Sequence, residues 1–336
     1  MQRWIVTGGA GFIGSNLVRQ ILATRPEVEV TVYDALTYAG HRESLVDCEA
    51  NPRFRFVQGD ICDGPALSAA VAGAQRVYHL AAESHVDRSI HGPAEFVRTN
   101  VEGTFRVLEA VRAAKGVRLV HVSTDEVYGS LGPTGLFTEE TPIDPSSPYS
   151  SSKASSDLLV QAWCRTFKID AVITRCSNNY GPYQMPEKLI PVMVRKALAG
   201  QPLPVYGDGL NVRDWIHVDD HNRGVLLAGD KGESGRVYNL GGEAERTNLA
   251  LVKRLLAHLG RPESLIAYVT DRPGHDRRYA MDITRARREL GFEPEVRFEP
   301  GLDATIDWYQ QNAAWCDAVE GNASHRAHLT RNYQQR

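Results

Sequence analysis

The chain has 336 residues, of which 42% are hydrophobic and 24% charged. That is enough for one large α/β domain or two smaller ones around an ordinary globular core. A net charge of -3 excludes a general pull toward nucleic acid or an anionic membrane, so any phosphate must be met by a few local groups.

In chain order, RWIVTG, VEVTVYD, RFRFVQGD, RVYHLAA and VRLVHVST are short runs rich in Val, Ile, Tyr and Phe, and they read as strands. Between them, SNLVRQILATR and TFRVLEAVRAAKG have helical periodicity. Alternation of this kind implies βαβ crossovers and a buried parallel sheet with helices on both faces, a Rossmann-type α/β fold. DLLVQAWCRTF continues as a helix and IDAVITRCS as a strand. After Asn178 the chain is punctuated by prolines at 182, 186, 191, 202 and 204. There YGDGLNVRDW reads as a Gly-rich loop leading into a strand-like IHVDD, RVYNLGG as a strand and NLALVKRLLAHLG as a helix. The expected organisation is a dinucleotide-binding domain over 1–177 with 215–242, and a smaller mixed α/β substrate-binding lobe over 178–214 with 243–336. A cleft would lie between the two.

The five cysteines form no C-x-x-C pair and no cluster with His, which argues against a disulfide framework and against any metal centre. A cytoplasmic protein without a signal peptide or membrane span is expected. The final GNASHRAHLTRNYQQR, which contains no acid, reads as a solvated tail.

TGGAGFIG places glycines at 8, 11 and 14 around Phe12 and Ile13, between a strand and a helix. Gly8 suits the tight turn, Gly11 the approach of a pyrophosphate and Gly14 close helix–strand packing; the helix N-terminus offers N–H donors to the anion. Asp34 follows Gly14 by 20 residues and is placed to accept the ribose hydroxyls. A carboxylate there repels a 2′-phosphate, so NAD is favoured over NADP. Asp60 and Ile61 fall where an adenine is expected, although Asp60 also has the chemistry to cap a helix beginning near Gly64.

In SPYSSSKASSDLLV, a helix starting near Pro148 would put Tyr149 and Lys153 on one face. The ammonium would favour the phenolate and lower the phenol pKa, making Tyr149 a usable base. Asp125 and Glu126 follow Ser123–Thr124 at the end of a strand. They read either as caps of a loop or as an acid and a base for proton removal and water loss. His79, His85 and His217 are dispersed and read as hydrogen-bonded residues near the core.

The glycine loop, Ser123–Thr124 and the Tyr149/Lys153 pair together resemble the extended short-chain dehydrogenase/reductase superfamily. AAESHVDRSI, TDEVYG, CSNNYGPYQMPEKLIP, YGDGLNVRDWIHVDDH and RPGHDRRYAMD narrow the resemblance to the dTDP-glucose 4,6-dehydratase family. Sugar-nucleotide 4-epimerases and decarboxylases share the scaffold but not Asp125–Glu126. A non-catalytic NAD sensor would be expected to lose one of these groups.

The resemblance implies NAD as cofactor, dTDP-glucose as substrate and a dehydration that yields a 4-keto-6-deoxy sugar. Tyr149, Lys153, Thr124, Asp125 and Glu126 would be catalytic. Ala35, Leu36, Thr37, Leu80, Ala81, Ala82, Ser84, Thr99 and Asn179 would join the glycine loop, Asp34, Asp60 and Ile61 in holding the cofactor. Ser84, Thr124, Asn178, Lys188, Leu189, Asn248 and His275 would contact the nucleotide sugar. Pro204 and Tyr206 would line the base pocket, and Arg213 and Arg272 would meet the pyrophosphate. A homodimer built through helices at Thr104–Lys115 and Ala154–Phe167 is a further implication.

Overall fold

The computed structural model describes residues 1–271 and 274–320. The strands are β1 (Gln2–Thr7), β2 (Val28–Asp34), β3 (Phe54–Gln58), β4 (Arg76–His79), β5 (Arg118–Thr124), β6 (Ala171–Cys176), β7 (Asn178–Tyr180), β8 (Leu203–Tyr206), β9 (Val212–His217), β10 (Val237–Leu240), β11 (Glu245–Thr247) and β12 (Ile266–Val269). Seven form one sheet in the order β10-β6-β5-β4-β1-β2-β3, and every pair is parallel.

Alternation along the strands divides the sheet's apolar residues between two cores, because successive side chains leave a strand on opposite faces. Trp4, Val6, Val120 and Val122 pack with Leu17 and Ile21 of the helix Phe12–Thr24 and with Val225 of Val218–Lys231. Ile5 and Leu119 face the other way, against Val107 and Val111 of Gly103–Ala114 and Val160 of Pro148–Phe167. A sheet covered on both faces needs nearly continuous apolar strands, and these have them.

The remaining strands are short: a three-stranded β11-β9-β7 sheet and a β12-β8 pair. They surround a third core in which Tyr180, Trp215, Leu251, Leu255 and Leu302 are buried. IHVDD is not one strand. Ile216 and His217 end β9, and Val218 opens the helix Val218–Lys231, with the His217 ring accepting from Asp219 N at 3.3 Å. Asp219 and Asp220 sit in the first turn of that helix, where carboxylates are favoured by its dipole. The C-terminal tail read from the sequence lies outside the described residues. Among the described residues no helix is long and apolar enough to cross a membrane.

Candidate active site

The chain turns sharply where β1 ends. Gly8 has φ +71°, and an added Cβ would stand 2.5 Å from Ala81 N. A Cβ on Gly14 would come within 2.2 Å of Gly8 O, so the helix closes directly onto the turn. Gly11 caps Phe12–Thr24 without a side-chain hydrogen bond, which leaves first-turn N–H groups for an anion. The Asp34 carboxylate is buried and held by backbone donors, with Ala10 N at 2.9 Å on Oδ2 and Leu36 N at 2.8 Å on Oδ1. Burial raises its pKa, and those donors oppose the rise. A glycine cradle that no Cβ fits, open helix donors and a terminal carboxylate suit a dinucleotide.

This loop forms one end of a cavity of about 340 Å³, within the range of small-molecule sites. Its lining includes Gly8, Gly11, Phe12, Ile13, Gly14, Asp34, Ala35, Thr37, Asp60, Ile61, Leu80, Ala81, Ala82, Ser84 and Thr99. At the other end stand Thr124, Asp125, Glu126, Tyr149, Lys153, Asn178, Asn179 and Lys188. Leu36 lies just outside the lining, at φ +54°, and packs on the sheet core. Asp60 does not cap a helix: Asp63 caps Gly64–Val71 by accepting from Ala66 N. Asp60 instead accepts from Cys62 N at 2.8 Å and pairs with Arg98 at 2.6 Å.

Ser147 starts the helix Pro148–Phe167 with a capping box completed by Ser150, and Pro148 occupies its first turn. Both features suit a helix N-terminus, and they put Tyr149 and Lys153 one turn apart. Lys153 Nζ donates to Val122 O at 2.9 Å, which binds the helix to the end of β5. The expected lowering of the phenol pKa is not found. Burial first, then Glu126 and Cys176, push Tyr149 upward, while a hydrogen bond with the Thr124 hydroxyl opposes them. Burial lowers Lys153, with Asp157 opposing.

Asp125 is fully enclosed, and its pKa is raised by burial first, then by Glu126 and Asp214. Its Oδ1 accepts from Thr124 Oγ1 at 3.3 Å, while Oδ2 is buried with no hydrogen-bond partner. Asp214 is itself pushed up to about 6 by burial. The site therefore presents an enclosed carboxyl whose burial favours the protonated form, beside a second carboxyl, at the end of β5 on the cavity that Tyr149 also lines.

Other expected contacts lie apart from this cavity lining. Arg213 donates to Asp276 O at 2.9 Å and to Val212 O at 2.8 Å, and its guanidinium lies 4.3 Å over the Tyr279 ring. Tyr206 lies edge-on to His275, with its hydroxyl 3.4 Å from Asp87 Oδ2, and His275 meets Asp271 at 2.6 Å. Leu189 and Asn248 open the helices Leu189–Leu198 and Asn248–His258, and Pro204 sits in β8 opposite Ala267. Arg272 falls outside the described residues. Lys188 Nζ reaches Ser84 O at 2.9 Å. The histidines are structural partners here: His79 bridges Thr7 and Thr104 at 2.8 and 3.1 Å, His217 caps a helix and His85 is buried.

Sequence reasoning missed Glu83, Gln184 and Glu187, all of which line the cavity. Glu83 is pushed up to about 7, mainly by burial. Gln184 Nε2 donates to Asn179 O at 2.9 Å, and its Oε1 is buried without a partner. AAESH and YGPYQMPEKL were singled out as motifs, but neither one indicates which of its polar residues turns inward.

A parallel seven-stranded sheet, a glycine cradle and a Tyr–Lys pair on one cavity define an extended short-chain dehydrogenase/reductase. Residues 5–305 match the family model described as GDP-mannose 4,6 dehydratase. A dTDP-glucose 4,6-dehydratase of Xanthomonas campestris is 51% identical, over 95% of this chain and 96% of the relative. The crystal structure of DesIV, the dTDP-glucose 4,6-dehydratase of Streptomyces venezuelae with NAD bound, superposes with a TM-score of 0.93 at 51% identity, covering 95% and 100% of the two chains. A UDP-glucuronic acid 4-epimerase of Bacillus cereus reaches 0.87 at 30% identity, covering 92% and 99%. The chain belongs to this nucleotide-sugar 4,6-dehydratase family, on the side of the dTDP-glucose enzymes.

Proposed function

We infer that the chain is an NAD-dependent hydro-lyase that dehydrates dTDP-glucose to dTDP-4-keto-6-deoxyglucose, for deoxysugar biosynthesis. The observation that carries this reading is the enclosed Asp125 carboxyl beside Glu126, on the same cavity as Tyr149. A simple dehydrogenase needs the phenol and the lysine; loss of water needs an acid and a base as well.

In this reading the glycine loop, Asp34, Thr37 and Lys153 hold NAD. Bound NAD supplies a positively charged ring that favours the phenolate, and a place to keep the C4 hydride until its return to C6. Tyr149 takes the proton of the 4-hydroxyl. The resulting 4-ketone acidifies the C5 proton, which Glu126 removes. Asp125, protonated, gives its proton to the departing 6-hydroxyl, and Glu126 then returns a proton to C5. Enclosure between sheet and lobe keeps water from the keto intermediate.

The remaining parts of the reading are of the same standing. The dinucleotide-binding unit takes 1–177 with 215–242, and the sugar-nucleotide lobe takes 178–214 with 243–336. Asn178, Lys188, Leu189, Asn248 and His275 contact the nucleotide sugar, Pro204 and Tyr206 the base, and Arg213 and Arg272 the pyrophosphate. The enzyme works as a cytoplasmic homodimer through the segments Thr104–Lys115 and Ala154–Phe167. Exposed Leu158 and Phe167 on the second of these support that choice.

Purified protein given dTDP-glucose should form an alkali-absorbing 4-keto-6-deoxy product, faster than with UDP-, CDP- or GDP-glucose. A 4-epimer as the product would favour the epimerase reading, and no turnover of any of these sugars would overturn both.

A further inference from the structure

The loop after β7 carries a group that the dehydration steps do not use. Gln184 is 8% exposed and lines the cavity. Its Nε2 donates to Asn179 O at 2.9 Å. A main-chain carbonyl only accepts, so the nitrogen end of the amide must be the one that meets it, and the oxygen end is left over. Gln184 Oε1 is buried with no hydrogen-bond partner among the described residues. Asn179 repeats the pattern: its Nδ2 donates to Ser177 O at 3.1 Å, and its buried Oδ1 has no partner among the described residues. Enclosed acceptors of this kind call for donors from whatever the cavity binds, because a buried polar atom left unmet is costly.

The same loop is fastened to the dinucleotide helix. Asn16 Nδ2 of Phe12–Thr24 donates to Pro182 O at 3.0 Å, and the Arg19 guanidinium of that helix lies 3.8 Å over the Tyr183 ring. Tyr183 takes φ +66°, a conformation rare for a bulky residue and one that its surroundings must enforce. The Tyr309 hydroxyl donates to Gln184 O at 2.6 Å. Gln184 is thus held by its main chain and by its own amide nitrogen, in register with the helix whose N-terminus suits a pyrophosphate. Two acceptors without a donor match an –NH2 group, which only donates, better than a hydroxyl, which both donates and accepts.

We propose that Gln184 Oε1 accepts a hydrogen bond from the carboxamide –NH2 of the bound nicotinamide. The contact sets the rotation of that ring about its bond to ribose, and so the face of its C4 that is turned toward the sugar. Gln184 is therefore a cofactor-positioning residue of the hydride steps. This rests on the reading of NAD as the dinucleotide held between the glycine cradle and Lys153.

The test is a competition. Holoenzyme is dialysed to equilibrium against equal concentrations of NAD and 3-acetylpyridine adenine dinucleotide, in which a methyl ketone replaces the carboxamide. The bound dinucleotides are then released and separated by chromatography. Wild type should retain NAD over the analogue by about tenfold, the scale of one buried hydrogen-bonding group left unmet. Gln184→Met, which has neither amide atom, should narrow that preference about fivefold. Gln184→Glu keeps an acceptor oxygen and, when protonated, the donor to Asn179 O as well, so it should hold the preference. Equal retention of the two dinucleotides by wild type overturns the contact without any variant. It is also overturned if Gln184→Met leaves the preference unchanged, or if both variants narrow it equally, the mark of a residue that only braces Asn179. Weaker dTDP-glucose binding in Gln184→Met at unchanged preference would give the acceptor to a sugar hydroxyl instead. Failure of the NAD reading looks different: wild type would retain neither dinucleotide.

Discussion

Arg175 Nε donates a 2.8 Å hydrogen bond to Asp157 Oδ2 with both side chains closed off from solvent. Asp157 stands one helical turn beyond Lys153, and it also lies 3.3 Å from His121 Nε2. Its pKa is held at about 2 because Arg175 and His121 outweigh burial. Lys153, on the cavity lining, thus has a fixed anion behind it, and Asp157 in turn depends on Arg175. Removing one member of a buried pair leaves the other charge uncompensated. Asp157→Asn should cost about 3–5 kcal/mol in urea unfolding, and adding Arg175→Met should recover most of it. Equal stability of the single and double variants would refute this account.

Glu126→Gln keeps the shape of the side chain but removes the base proposed for C5. Turnover should fall by about 10²–10⁴, with binding of dTDP-glucose retained in calorimetry. Solvent deuterium should no longer enter C5. Normal exchange at that carbon would exclude Glu126 as the base.

Asp34→Asn removes the charge and keeps one oxygen, so either Ala10 N or Leu36 N loses its acceptor. NAD affinity should weaken about tenfold, the scale of replacing one charge-assisted hydrogen bond by a neutral one. The preference for NAD over NADP should narrow, since a 2′-phosphate is no longer repelled. Titration of each dinucleotide measures both effects, and an unchanged ratio would show that Asp34 does not discriminate.

His221 is fully buried, neither ring nitrogen has a hydrogen-bond partner, and burial lowers its pKa from 6.5 to about 3. A depressed folded pKa contributes stability above the unfolded value that is lost as pH falls from 6.5 toward 3. His121, lowered to about 4, has the same sign. Asp214 and Glu83, raised to about 6 and 7, have the opposite sign: their contribution is lost as pH rises. His221→Leu should therefore gain on the wild type as pH falls from 7.5 to 5. Urea midpoints at the two pH values decide it, and a constant difference between the proteins would rule out titration of His221.

The sheet was legible because a parallel strand buried on both faces must be a run of branched apolar residues, and VEVTVYD coincides with β2. Strands of three or four residues such as β7, β8 and β12 are too short for a period to appear. IHVDD misled because strand and helix meet inside it; the paired acids at 219 and 220 were the available sign of a helix start. The Tyr149/Lys153 pair was readable from its spacing and capping residues. Its electrostatics were not, since Lys153 is drawn to Val122 O and the phenol responds to Glu126 and Cys176 from other elements. The direction of Arg213 was equally hidden, being set by Tyr279 and Asp276, more than sixty residues away in the chain.

The chain leaves the large sheet after β6 for β7, returns through the helix Val218–Lys231 and β10, and departs again for β11. Asp214 of β9 receives Ala244 N at 2.8 Å and Gly242 N at 3.2 Å, which pins two of these crossings together. No single cut separates the large sheet from the smaller ones, so the segments carrying β7 to β9, β11 and β12 cannot be exchanged between relatives as one contiguous cassette.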